Sequence, residues 1–325
     1  MNGEPDVLAD TFTKTTQSDT FSDLHQAKKD SLEKKVIHLR HVLEKDFKAA
    51  DLKWSLFVAA AFSFRYESCL KPFPPAFIKN GIKDMDKLLS VIADVPALDL
   101  LLHQFNNLDN LSHLSEIIDL LFYVLVRLKE PTLKSINQET NKSVLRNISE
   151  DTLKPQYLFQ INYSSKSTLE ARWREMAQNH NTFFAFHINC LENFYSIINF
   201  GFQQHLNKKT IVGTGIYFST DVSLPYSLGG FGWGASCIGG HISCIALCEI
   251  IDAPEGINYQ RRIYKEGDGT YENEHGTRLK ETGIEKKISQ YIITNPDLVR
   301  LKYLLIYAKQ TSSMRFPIMS SNDRQ

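Results

Sequence analysis

Apolar residues in this chain follow one period up to Pro131 and another after Pro155, and that change decides what the chain can fold into. Leu32, Val36, Leu39 and Leu43 recur every three or four residues, as do Leu111, Leu114, Ile118, Leu121, Leu125 and Leu128 behind the cap residue Asn110. Such spacing puts apolar side chains on one face of an α-helix. Residues 49–64 add strong helix formers before Pro72, Pro74 and Pro75 break the pattern, and residues 84–93 and 96–105 read as two further helices. Beyond Pro155 the apolar residues gather instead in short β-branched and aromatic runs, at 157–163, 183–187, 215–219, 241–251, 291–294 and 299–308. These predict strands. One helix interrupts them: Asn189 with Glu192 three residues later makes a capping signature for residues 191–200, and Gly201 is placed as the left-handed stop.

The expected class is therefore α+β, an all-helical N-terminal domain followed by a domain with a mixed or antiparallel sheet. Residues 1–48 are assigned to a tail and an amphipathic helix, 49–150 to the helical domain, 151–310 to the sheet domain and 311–325 to a polar tail. The first 23 residues, rich in Asp, Ser and Thr, offer too little apolar surface to offset ordering entropy. The charged segment 256–290 reads as a surface excursion bordering a site.

Charge narrows the partners. Lys plus Arg equals Asp plus Glu at 37 each, so no global basic field exists to hold a nucleic acid. Residues 1–6 lack the basic start and apolar core of a secretory signal, which predicts a cytoplasmic chain whose five cysteines are thiols. The most apolar stretch, 117–126, is interrupted by Asp119 and falls short of the ~20 residues a bilayer span needs.

Several patterns fail on inspection. Cys237, His241, Cys244 and Cys248 have the look of metal ligands, but residues four apart on a strand are ~13 Å apart, so Cys244 and Cys248 are expected to be small buried hydrophobes and no metal is expected. Cys190 lies near His187 without an orienting carboxylate. Gly229, Gly230, Gly232 and Gly234 precede a strand rather than the helix of a dinucleotide fingerprint, which suits a tight loop. What remains is His187, Tyr217 and Tyr291, each on its own predicted strand and spaced so that three strands bring them to one cleft. A cleft of that kind suits a large polar cofactor with an aromatic head.

The residues around these three extend the pattern in order: Phe186-His187, Leu191-Glu192-Asn193-Phe194, Ile197-Ile198, His205-Leu206-Asn207-Lys208 and Gly213-Thr214-Gly215-Ile216-Tyr217. In this series the chain resembles the poly(ADP-ribose) polymerase family. Ala50-Asp51-Leu52-Lys53-Trp54, Leu70-Lys71-Pro72-Phe73-Pro74, the run 243–252 and the run 299–305 make it most similar to the tail-anchored, endoplasmic-reticulum member of the mono-ADP-ribosyltransferase branch, over residues 49–310.

The resemblance implies transfer of one ADP-ribose from NAD to a protein side chain, the chain's own included, with release of nicotinamide. It implies that His187 bonds a ribose hydroxyl, that Tyr217 and Tyr226 hold the nicotinamide ring, that Ser227 and the backbone of Ile188 meet its carboxamide, and that a loop ending at Thr214 covers the cofactor. Tyr291 stands where chain-elongating relatives carry Glu; a phenol of pKa ~10 is a poor base, so one unit is transferred. The family also implies residence at the endoplasmic reticulum and partners in its stress signalling, although residues 311–325 offer no anchor. Ile188 replaces the family's Gly. Its side chain would crowd the nicotinamide and be strained at a positive φ, which leaves a catalytically silent binding or scaffold protein as the alternative.

Overall fold

In the computed structural model, which describes residues 16–105, 112–137, 154–202, 215–220, 222, 232–233, 237, 241–253, 259–264 and 288–309, the first apolar stripe lies on helix α1 (Thr16–Lys45). Val36, Leu39 and Leu43 are buried and Leu32 packs against them. The helix begins inside the segment expected to be a disordered tail, of which residues 1–15 lie outside the described residues. Helix α2 (Phe47–Phe62) follows at once, because Asp46 breaks the helix and caps the next one by accepting the Ala49 N–H at 3.1 Å. A short helix α3 (Tyr66–Cys69), a hairpin of β1 (Ile78–Lys79) and β2 (Ile82–Lys83), then α4 (Met85–Ala93) and α5 (Leu98–Gln104) complete the expected helical half. Asp84 caps α4 through the Lys87 N–H at 3.1 Å.

The last predicted helix changes pitch partway along. Helix α6 (Ser115–Leu121) passes into a π-helical stretch, Phe122–Arg127, yet Ile118, Leu121 and Leu125 stay buried as the spacing requires. Its expected cap, Asn110, and Leu111 lie outside the described residues.

The second half is built from β3 (Thr132–Ile136), β4 (Tyr157–Asn162), helix α7 (Thr168–Ala177), β5 (Asn181–Ile188), helix α8 (Leu191–Phe200), β6 (Ile216–Ser219), β7 (Gly232–Trp233), β8 (His241–Asp252), β9 (Tyr259–Tyr264), β10 (Ile288–Ile293) and β11 (Val299–Lys309). Among the described residues these strands form one antiparallel sheet in the order β3-β4-β11-β8-β5-β6-β10-β9, with β7 against β8. Two details differ from expectation. Strand β3 lies ahead of residue 150 but pairs Lys134 with Gln160, so the sheet begins before the expected boundary. Strand β9 falls in the segment expected to be a loop; at the sheet's edge a strand needs no apolar face, and Gln260, Arg261 and Arg262 hide it from a pattern search. Helix α8 has the expected bounds, but its N-cap is Cys190, without a side-chain capping bond, rather than Asn189. Gly201 after it takes a positive φ of 74° with ψ −171°, an extended conformation open to glycine rather than the left-handed helical one.

The two halves do not have separate cores. One apolar cluster runs from Val36 on α1 to Ile306 on β11. At its centre Trp54 stacks on Phe57 at 5.4 Å, and Phe57 meets the edge of Tyr195 on α8, also at 5.4 Å. Tyr195 in turn donates its hydroxyl to the Pro72 carbonyl at 3.0 Å. Asp46 adds a polar clasp, since its carboxylate accepts the Ser135 N–H at 2.7 Å and the Ser135 hydroxyl at 2.8 Å and so covers the free edge of β3.

Removing that clasp uncaps α2 and exposes the edge strand together. Asp46→Ala is expected to cost about 2 kcal/mol in urea unfolding, and Asp46→Asn, which keeps one acceptor, less than half of that.

Candidate active site

Neighbouring residues of a strand point to opposite faces of the sheet, so register decides which side chains meet. On β5, Phe183 and Ala185 join the helix-covered core, whereas Phe186 and Ile188 join a second cluster with Leu158, Val222, Ile245, Leu247, Leu305 and Tyr307. His187 lies on the first face: its ring is 4.9 Å from Phe202 and 5.3 Å from Phe218. On β6, Ile216 and Phe218 are buried on that same face, which turns half-buried Tyr217 to the other.

His187 is only 6 % exposed and both ring nitrogens are engaged. A carbonyl can only accept, so Nδ1–H donates to the Tyr217 carbonyl at 2.9 Å, and Nε2 accepts from the Asn189 amide at 3.3 Å. Burial pushes the imidazole down to about 4, against a weaker opposing pull from the Tyr217 carbonyl. The ring is thus neutral at pH 7 with its lone pair on Nε2.

Asn189 is held from behind. Its Oδ1 accepts the Cys190 N–H at 2.9 Å and the Asn193 amide at 2.5 Å, and Asn193 Oδ1 accepts the Cys69 thiol at 3.0 Å. A one-way series of donors therefore runs from Cys69 on α3 through Asn193, Asn189 and His187 to the backbone of Tyr217. Sequence reasoning missed Asn189 and Asn193 as site residues, although their spacing of four at a helix start was a visible signal.

Tyr291 is 8 % exposed, pairs with Phe218 across β10 and β6, and packs its ring 4.6 Å from Phe183. Tyr217 is paired instead with Ile292. This corrects the expectation that three rings meet in one cleft: His187 and Tyr291 lie on the helix-covered face and Tyr217 lies on the other. What joins His187 to Tyr217 is the backbone carbonyl. The residue before Tyr291, Gln290, is the one paired with Ser219, two places along β6 from Tyr217. A shift of one residue in register exchanges the faces, and apolar runs such as Tyr291-Ile292-Ile293 carry no alternation by which to set it.

Ile188 is extended in β5 and paired with Ile245, and among the described non-glycine residues Asn80 alone has a positive φ, so the anticipated backbone strain does not arise. Its side chain packs on the second cluster, the face to which Tyr217 also turns. Thr214, Tyr226, Ser227 and the loop 205–214 lie outside the described residues, as does most of the glycine run. Gly215 has a packing reason: a Cβ there would come within 2.6 Å of Ile292 Cγ2 and 3.1 Å of the Ile293 carbonyl. Cys244 and Cys248 are buried in β8, where desolvation drives both thiols well up and keeps them protonated. Among the described residues no group of three or more His, Cys, Asp or Glu is placed to hold a metal, and no helix is long and apolar enough to cross a membrane.

Comparison with known proteins covers both halves. Residues 137–309 match the poly(ADP-ribose) polymerase catalytic domain, and residues 41–125 match the ARTD15 N-terminal domain. The chain is 33 % identical over 276 residues to the mouse protein mono-ADP-ribosyltransferase PARP16, covering 83 % of this chain and 82 % of that one. To the human protein of the same name it is 32 % identical over 277 residues, with the same shares covered.

The His187 environment predicts an acid sensitivity with a definite sign. Between about 4 in the folded chain and 6.5 in the unfolded one, the unfolded chain binds more protons, so stability is lost as pH falls through that window. The complete loss is about 3 kcal/mol. Urea unfolding between pH 7 and pH 4 should show it in the wild type, and His187→Phe should lack that component.

Proposed function

Because the chain belongs to the poly(ADP-ribose) polymerase family, we propose that it is a protein mono-ADP-ribosyltransferase, moving one ADP-ribose from NAD to a side chain of an acceptor protein or of itself. The observation that carries the reading within that family is the neutral His187, fixed by the Tyr217 carbonyl with an Nε2 lone pair at the end of β5. Such a nitrogen is an acceptor for a ribose hydroxyl, once Asn189 yields it. Tyr217, one strand away, presents its phenol ring on the face where Ile188 packs. In this reading NAD passes the end of β5 and β6, with its ribose at His187 and its nicotinamide against Tyr217 and Tyr226. Ser227 and the Ile188 backbone take the carboxamide, and Thr214 closes over the cofactor.

The chemistry needs little beyond grip and orientation. The bond from the ribose C1′ to the nicotinamide nitrogen breaks, and the bonding pair leaves with neutral nicotinamide. Positive charge develops on the ribose as C1′ gains oxocarbenium character. The acceptor's side chain attacks C1′ and gives its proton to solvent. Lengthening the product would need a base to activate a sugar hydroxyl, and no residue of β10, Ile-Ser-Gln-Tyr-Ile-Ile, carries a carboxylate. Transfer of a single unit follows.

Two observations favour a second reading, a catalytically silent binding protein: Asn189 already occupies Nε2, and the Ile188 side chain packs on the Tyr217 face. The two readings separate cleanly. Incubation with NAD followed by mass spectrometry should show single ADP-ribose additions to the wild type, and His187→Ala or Tyr217→Ala should reduce labelling by about 100-fold or more. If the wild type binds NAD without transfer, the transferase reading fails. If NAD binds only after Ile188→Gly, the silent reading holds.

A further inference from the structure

A second cleft lies where the end of α1, the start of α2, the residues after the π-helical stretch and the edge strand β3 come together. It has a volume of about 390 Å³ and apolar walls that include Val42, Leu125 and Leu133. Four lysines line it, Lys45, Lys53, Lys129 and Lys134, against one carboxylate, Asp46. That carboxylate is committed to the protein, through Ala49 and Ser135. None of the four lysines is ion-paired among the described residues.

Lys53 differs from the three exposed lysines. It is 7 % exposed, and its ammonium donates to the Leu128 carbonyl. An ammonium has three N–H groups, so two are left without an acceptor among the described residues. Desolvation lowers its pKa to about 8, the signature of a buried cation with no counter-charge. A methionine would fill the same space without that cost. The arrangement is unfavourable in the empty protein and becomes favourable when an anion supplies the missing acceptors.

We propose that this cleft binds a nucleoside-diphosphate-type molecule, its diphosphate meeting Lys53 at the floor and Lys45, Lys129 and Lys134 at the mouth. The volume falls in the small-molecule range of ~300–1,000 Å³, and the apolar walls suit a sugar or base. The start of α2 contributes its partial positive charge to the same cleft. The site is separate from the β5 and β6 strands, so it stands whether or not the transferase reading does.

Isothermal titration of ADP, inorganic pyrophosphate and adenosine into the full chain tests it, and the share of ADP binding lost in Lys53→Met is the share that belongs to this cleft rather than to the NAD site. ADP is expected to bind, adenosine not, and ADP affinity should weaken as pH rises above 8. Lys53→Met should weaken ADP binding roughly tenfold or more while keeping or raising the unfolding temperature, which separates lost binding from lost folding. Replacing the exposed Lys45, Lys129 and Lys134 together by Ser should also weaken binding and flatten its salt dependence. Pyrophosphate is expected to bind more weakly than ADP, since it leaves the apolar walls unfilled; pyrophosphate binding as tightly as ADP overturns the nucleoside part of the proposal. Absence of ADP and pyrophosphate binding, equal binding of adenosine, or undiminished ADP binding by Lys53→Met overturns the proposal.

Discussion

Helix α2 is buried along nearly its whole length, with twelve of its sixteen residues inside, and the rest of the molecule has to accommodate that. A helix apolar on most sides cannot sit on a surface. It must be enclosed by α1, the π-helical stretch, β3 and α8, so the helical half and the sheet half share one core. Each of its buried polar residues finds a partner, Lys53 through only one of its three N–H groups. Ser55 donates to the Asp51 carbonyl at 2.8 Å, Lys53 donates to the Leu128 carbonyl, and the Asp51 carboxylate accepts the Cys237 N–H at 3.1 Å. That last bond ties the helical half to the segment just ahead of β8.

The same enclosure reaches the candidate site. Helix α8 packs against α2 on one side and carries Asn193 on the other, so the orientation of Asn189 and then of His187 is set by groups belonging to both halves. A neutral imidazole held by a backbone carbonyl follows from ordinary physics, since a charged ring between Phe202 and Phe218 would be stripped of water. The helical half is therefore part of what shapes the site, through Cys69 and Asn193, rather than a separate module attached by a linker.

Much of this was legible in the sequence because it rests on local patterns. The α1 stripe, the Asp84 start of α4, the bounds of α8 with Gly201 behind it, and strands β4, β5, β8 and β11 all follow from period, caps and β-branched runs. Facing was not legible. Whether Tyr291 shares a side with Tyr217 depends on a pairing across β6 and β10 that a uniformly apolar strand does not encode. Strand β9 was hidden by its edge position, and β3 by its distance from the other strands. Asn189 read as the cap of α8, but in the fold it caps nothing and holds His187 instead, a contact that exists only once β5 and α8 meet.

A crystal structure with a non-hydrolysable NAD analogue tests the account most directly. The account predicts nicotinamide against the Tyr217 ring, a ribose hydroxyl within hydrogen-bonding distance of His187 Nε2, and the Asn189 amide turned away from it. An analogue seated elsewhere, or one bound while Asn189 still holds Nε2, would contradict it.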